Sequence, residues 1–198
     1  GLPDLSEDEW REHVQRLCDL NVPHISAYCL TVEQKTALHH MVKQKTLTIP
    51  DEDKQSRHFE ILLSTLEDAG YEQYEISNFS KPQMHSRHNS NYWLNEIYLG
   101  IGPSAHSFDR MKRYWNVSNN TKYIKLIQAG ELPIEEEVLS PENRFNELIM
   151  TGLRTKWGVD VGMLNSILPL DKKFNTTLAE FIQAGDLVSD ANHLYLTK

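Results

Sequence analysis

Only two cysteines occur in the 198 residues, and Cys18 and Cys29 share no C-x-x-C or other metal-ligand spacing. A zinc or iron-sulfur site built from this chain's own thiolates is therefore excluded. Each cysteine sits in an otherwise apolar pattern, one helical and one extended. Both are expected to be buried, reduced thiols of the kind cytosolic proteins carry. Long hydrophobic runs are also missing. The apolar stretches fall far short of the roughly 18 residues a membrane-spanning helix needs, and no signal-peptide pattern opens the sequence. A cytoplasmic location is the expectation. Positive charge is scarce, with 20 Lys and Arg against 28 Asp and Glu, a formal charge of -8. That balance gives no basic face for a phosphate backbone and argues against a nucleic-acid partner.

What is present reads as alternating helices and strands. The opening "GLPDLSEDEW" begins with Gly rather than Met, and Ser6-x-x-Glu9 is a capping box. It starts a helix whose apolar face is Trp10, Val14, Leu17 and Cys18. A turn leading into a capped helix normally follows a strand, so a piece of a longer protein is expected. "PHISAYCL", residues 23–30, is apolar on both alternate faces, as in a strand buried within a parallel sheet. A Lys- and Thr-rich connection follows, with a short helix around Leu38 to Val42. The next helix opens at Pro50-Asp51, presents Phe59, Leu62, Leu63 and Leu66, and stops at Gly70. "YEQYEIS" (71–77) and the short "YLGIG" read as further strands. The order implies βα units with parallel pairing, an α/β fold.

From about Ser118 the character changes. "TKYIKLIQAG" predicts a helix with a glycine stop. Ser140-Pro141 supplies a cap and a first-turn proline for a helix presenting Phe145, Leu148, Ile149 and Gly152. Helices are also predicted over Val161 to Leu168 and Asp171 to Ala184, the latter with Phe174, Leu178, Phe181 and Ile182 on one face. "LVSD-AN-HLYLT" then alternates about a turn, as a β-hairpin does. Three helices and a hairpin resemble a winged helix. The domain division expected is 1–118 and 119–198.

One span stands apart: "SRHNSNYWLNEIYLGIGPSAH", Ser86 to His106. Gly100-x-Gly102-x-x-Ala105 satisfies a loose dinucleotide fingerprint, but Pro103 occupies the turn and "SFDRMKRYW" is a poor helix. A glycine turn at a strand end, allowing close backbone approach, fits better. His85 and His88, three apart, with His106 and no nearby cysteine, make only a weak zinc spacing. His39-His40, His13, His24, His58 and His193 form no constellation and suit surface or capping roles. In a helical turn, residues 88 and 92 share a face, and so do 89 and 93. His88-Asn89-x-x-Tyr92-Trp93 is then either a packed aromatic cluster pinning the loop or a seat for a flat, partly apolar ligand. In the second case the rings stack on the ligand, the imidazole meets a metal centre, and Arg87 meets a ligand carboxylate.

"YEQYEISNFSKP", "SRHNSNYW", "YLGIGPSAH", "WN" and "VLSPENRFNELIMTGLR", in this order, resemble the oxygen-independent coproporphyrinogen III oxidase-like family of radical S-adenosylmethionine (SAM) proteins. The resemblance covers essentially the whole chain. It implies the C-terminal part of a partial (β/α)6, TIM-like barrel followed by a small helical, winged-helix-like domain. It also implies a 4Fe-4S cluster on a C-x3-C-x2-C motif that this chain lacks. Within the family, H-N-x-x-Y-W resembles the haem-chaperone branch, whose members deliver haem to respiratory enzymes. That makes His88 the candidate haem contact, with Asn89, Tyr92 and Trp93 completing the motif, and Tyr28 and Thr31 candidate SAM neighbours. The alternatives are a true oxidase, converting two propionates of coproporphyrinogen III to vinyls, and a non-catalytic interaction scaffold. A half-barrel would also leave a sheet edge open to self-association. Purified and reconstituted anaerobically, this chain should hold no iron-sulfur cluster, because two isolated cysteines cannot supply the three thiolates of such a motif. Stoichiometric iron and sulfide with charge-transfer absorbance would contradict that.

Overall fold

The structure is a computed structural model that describes residues 2–190 and 192–197. The chain divides into two compact units, one up to Ser86 and one from Arg87 onward. No helix among the described residues is long and apolar enough to cross a membrane.

The first unit contains α1 (Glu7–Asp19), β1 (His24–Ser26), α2 (Ala37–Lys43), α3 (Glu52–Asp68), β2 (Glu72–Glu75) and β3 (Asn78–Ser80). The predicted capping box forms: Glu9 N–H donates to Ser6 Oγ at 3.2 Å, and Ser6 N–H donates to the Glu9 carboxylate at 2.9 Å. Asp51 caps α3 by accepting from Lys54 N–H at 2.7 Å. Each cap satisfies amide donors that the first helical turn leaves unpaired. The core is Val14, Cys18, Ile25, Leu62, Leu66, Tyr71 and Phe79, with Trp10 and Phe59 packed against it. Trp10 Nε1 donates to the His58 carbonyl at 2.7 Å, which fixes α1 against α3.

Parallel pairing does not occur among the described strands. The chain reverses after β2, and β3 returns between β1 and β2, antiparallel to both. β1 and β2 therefore run the same way but are not neighbours. β1 is also shorter than the sequence implied, because its ladder ends where β3 begins, at Ser26↔Asn78. Beyond one further bond, from Ala27 N–H to the Ser77 carbonyl, the segment leaves the sheet. Tyr28 is consequently 70% exposed, and Cys29 is an exposed thiol rather than a buried one. The sheet encloses a polar network. Buried Asn78 donates from Nδ2 to the buried Glu75 carboxyl at 2.5 Å, Ser77 N–H donates to the same oxygen, and Ser26 Oγ donates to Asn78 Oδ1 at 2.7 Å. Such groups are costly to bury unless each is paired, so the network selects this hairpin register.

The second unit begins with α4 (Arg87–Trp93). An antiparallel meander follows, β4 (His106–Phe108), β5 (Lys112–Asn116) and β6 (Ile134–Val138), with α5 (Asn120–Gln128) between β5 and β6. "YLGIG" is not a strand: only Tyr98 bridges, to Phe108. The chain continues through α6 (Pro141–Gly152), β7 (Val159–Asp160), α7 (Val161–Ile167), α8 (Lys172–Ala184), β8 (Leu187–Asp190) and β9 (His193–Leu196). The predicted hairpin forms, and β7 pairs with its second strand, giving the order β7-β9-β8. Val159, Leu164 and Leu194 form the core of this part, under Phe145, Leu148, Phe174 and Leu178. Phe181 and Ile182, predicted on the same face of α8, stay exposed because the stripe outruns the core. The Arg113–Glu147 ion pair (2.7 Å), Asn95 Nδ2 donating to Thr151 Oγ1 (3.0 Å) and Leu139 N–H donating to the Met111 carbonyl (2.9 Å) tie residues 87–118 to α6 and its lead-in. These contacts place the compact unit's start at Arg87, while the compositional change lies near 118.

His58, expected in a surface or capping role, is 2% exposed in α3 and stacked on Trp10 at 6.1 Å. Burial pushes its imidazole below its ordinary pKa, and burial followed by nearby His85 does the same to His24. The unfolded chain then binds more protons than the folded one between the depressed values and about 6.5. Stability of the first unit should be complete above about pH 6.5 and fall as pH drops through that window. Thermal melts between pH 7.5 and 5 should show the decline, and His58→Leu should make it shallower, leaving the share of His24. A melting temperature insensitive to pH across that range would contradict the assignment.

Candidate functional site

The H-N-x-x-Y-W segment folds as α4, a helix of about two turns, which is the condition under which residues 88 and 92 share a face. His88 and Tyr92, four residues apart, lie on one face and are both exposed. Asn89 and Trp93 follow on the adjoining face and are half-buried. The Tyr92 and Trp93 rings meet edge to face, with centroids 5.4 Å apart and planes at 88°. Trp93 is covered on one side by the Arg154 guanidinium, 4.7 Å from the ring centroid. A cation over an indole face is attracted by the ring quadrupole, which holds the tryptophan in place without burying it.

The rings continue away from the helix. Tyr92 lies 5.5 Å from Tyr98, and Tyr98 lies 5.9 Å from Phe108 in β4. Burial, with Tyr92 beside it, pushes the Tyr98 phenol above its ordinary pKa. Sequence reasoning missed Tyr98, Phe108 and Arg154. Tyr98 lies within residues 86–106, but nothing in the residue order pairs it with Phe108 until β4 exists.

The glycine turn is held from three sides. Asn116 Nδ2 donates to the carbonyls of Gly100 and Gly102 at 3.3 and 2.8 Å. Gly100 N–H donates to Ser107 Oγ at 2.9 Å, and Gly102 N–H donates to the Tyr123 hydroxyl at 3.2 Å. A Cβ at residue 100 would overlap the His106 carbonyl, and Gly102 has φ +106°, where side chains are strained. The turn allows a close backbone approach, and its Gly100 and Gly102 amides already donate within the fold. It forms one wall of an apolar cavity of about 600 Å³ that also includes Tyr98, Phe108, Tyr114, Tyr123 and Ile134.

The remaining sequence candidates lie elsewhere. His85 packs against Tyr74 at 4.8 Å, with its Nε2 3.7 Å from Glu72, while His106 sits 6.4 Å from Trp115. No cluster of three or more His, Cys, Asp or Glu suited to a metal ion occurs among the described residues. Tyr28 and Thr31 are exposed in the irregular segment after β1.

Residues 139–198 match the family model described as the HemN C-terminal domain. Over 199 residues the chain is 32% identical to the heme chaperone HemW of Lactococcus lactis, covering 100% of this chain and 52% of that protein. It is 32% identical over 200 residues to the heme chaperone HemW of Bacillus subtilis, covering 53% of it. The mitochondrial radical S-adenosyl methionine domain-containing protein 1 of Mus musculus is 34% identical over 169 residues, 83% of this chain and 34% of that protein. Among solved structures, coproporphyrinogen III oxidase (HemN) from Escherichia coli, a radical SAM enzyme, matches with a TM-score of 0.75. That match covers 100% of this chain and 49% of the oxidase; at 15% identity it establishes a shared α/β fold and nothing further. The chain spans about half the length of the curated relatives it matches. It belongs to the HemN-like radical SAM family, in the branch whose curated members are named heme chaperones, and corresponds to their C-terminal half.

Proposed function

We propose that this chain carries the haem-contacting element of a haem chaperone, with His88 as the iron ligand. The observation that supports this reading best is α4 itself. It holds an exposed imidazole and an exposed phenol on one face, with Trp93 edge-on to Tyr92 and braced by Arg154. A neutral imidazole ligates iron, and aromatic rings stack on a porphyrin face. Asn89 completes the motif beside Trp93, and Arg87, exposed at the start of α4, is available to a porphyrin propionate.

The same reading takes residues 1–118 as the closing part of a partial barrel and 119–198 as a winged-helix-like accessory domain. The full-length protein then supplies the 4Fe-4S cluster and binds SAM, with Tyr28 and Thr31 as neighbours once a complete barrel wall surrounds them. Haem-accepting respiratory proteins are its partners and the cytoplasm its place. β1 and β2, the outer strands of their sheet, are the edges through which copies associate. The likeness to coproporphyrinogen III oxidase carries the fold and lends no support to decarboxylation by this chain.

In the full-length protein, His88→Ala should weaken haem binding at least tenfold, read from the Soret band in a titration, with circular dichroism unchanged. Ring stacking beyond buried area is worth only about 0.5 to 1.5 kcal/mol, so Tyr92 and Trp93 cannot mask the loss of an iron ligand. His193→Ala, in the terminal hairpin, should bind as wild type. Unaltered haem binding by His88→Ala would remove the reading's support.

A further inference from the structure

We propose that the apolar cavity above the β4-β5-β6 meander receives the flat face of the porphyrin, so that the macrocycle and its iron are held by different parts of the second unit. This rests on the haem reading above and adds a second site to it. The cavity volume, about 600 Å³, lies in the range of sites that enclose small organic ligands. Its walls carry four aromatic rings, Tyr98, Phe108, Tyr114 and Tyr123, which suits a planar, polarisable ligand.

The polar groups of the wall are already committed to one another. Ser107 and Asn116 hold the glycine turn. Asp109 accepts from the amides of Met111 and Lys112 at 2.9 and 2.6 Å and from the Tyr114 hydroxyl at 2.8 Å, and these bonds, that of Met111 first, keep its carboxyl below the ordinary range. A ligand entering here meets no unengaged charge and must present an uncharged face. Around the mouth, Leu99, Ile101 and Leu132 are 79%, 84% and 76% exposed. Large aliphatic side chains grouped this way mark a surface that is covered in use.

Continuity with α4 selects the occupant. Tyr98 lines the cavity and touches Tyr92, which shares a face with His88 four residues away, about 6 Å along the helix axis. One planar ligand spans the two, with iron toward His88 and carbon skeleton over Tyr98 and Phe108. Charged propionates remain outside, on the polar side of the mouth.

The test uses a porphyrin without iron. Protoporphyrin IX, titrated into the full-length protein and followed by its fluorescence, reports the cavity alone. Leu99→Trp and Leu132→Trp fill the mouth from two segments at mostly exposed positions, so packing is little disturbed. Each should weaken metal-free porphyrin binding tenfold or more with unchanged circular dichroism, while His88→Ala should stay within about twofold of wild type. If wild type binds no metal-free porphyrin, or both tryptophan variants bind like wild type, the cavity assignment falls. The iron-ligand reading survives that result as long as His88→Ala still loses haem. If the tryptophan variants leave porphyrin binding intact and abolish self-association in sedimentation, the mouth is a contact between copies and the proposal is overturned. Haem binding by His88→Ala equal to wild type, with porphyrin binding lost in the tryptophan variants, would place the whole interaction in the cavity and sink the ligand reading instead.

Discussion

The backbone at Gly100 lies so close to the His106 carbonyl that no side chain fits between them. Much of the second unit depends on that approach. It brings residues 98–102 alongside β4, where Tyr98 pairs with Phe108 and their rings meet. Asn116, one residue near the end of β5, then bonds both glycine carbonyls and locks the turn to the meander. With Tyr98 fixed, Tyr92 has a ring to lean on, and α4 is oriented although none of its residues is fully buried. A seven-residue helix has little stability of its own, so tertiary contacts of this kind decide whether it exists. Loss of the turn would therefore reach His88 through a chain of ring contacts, with no substitution in α4 itself.

The first unit solves a different problem. Its small sheet buries a carboxyl and a carboxamide, Glu75 and Asn78, which bond to each other, and Ser26 at the sheet's exposed side donates its hydroxyl to Asn78. The motif "YEISNFS" is legible in these terms. Tyr74 and Phe79 are buried, Glu75 and Asn78 bond across the reversal, and Ser77 supplies an amide to the same carboxyl. A buried polar network of this kind specifies one strand register more than it adds stability.

Local signals carried much of this into the sequence. Ser6, Asp51, Ser140 and Asp171 each cap the helix they precede, because capping is a contact between residues three apart. The terminal hairpin and the helicity of residues 87–93 are local in the same sense. Strand partnership is not. "PHISAYCL" is apolar enough for a fully buried strand, yet its pairing stops at Ser26 because β3 supplies no further partner. The meander was illegible for a related reason. Residues 106–116 alternate weakly, and although β4 is near in sequence, β5's other partner, β6, begins at Ile134 beyond an intervening helix. Of the site, the shared face of residues 88 and 92 followed from spacing once the segment was helical. Its bracing by Arg154 and its ring connection to Phe108 could not, since both come from segments distant in sequence.

The central claim is that the His88 imidazole binds haem iron. Pulsed electron paramagnetic resonance on ferric haem bound to full-length protein labelled with nitrogen-15 histidine tests it most directly. A nitrogen-15 hyperfine coupling from an iron-bound imidazole is expected, and it should disappear in His88→Gln. A bound haem whose spectrum carries no histidine coupling, or one that keeps it in His88→Gln, would contradict the account.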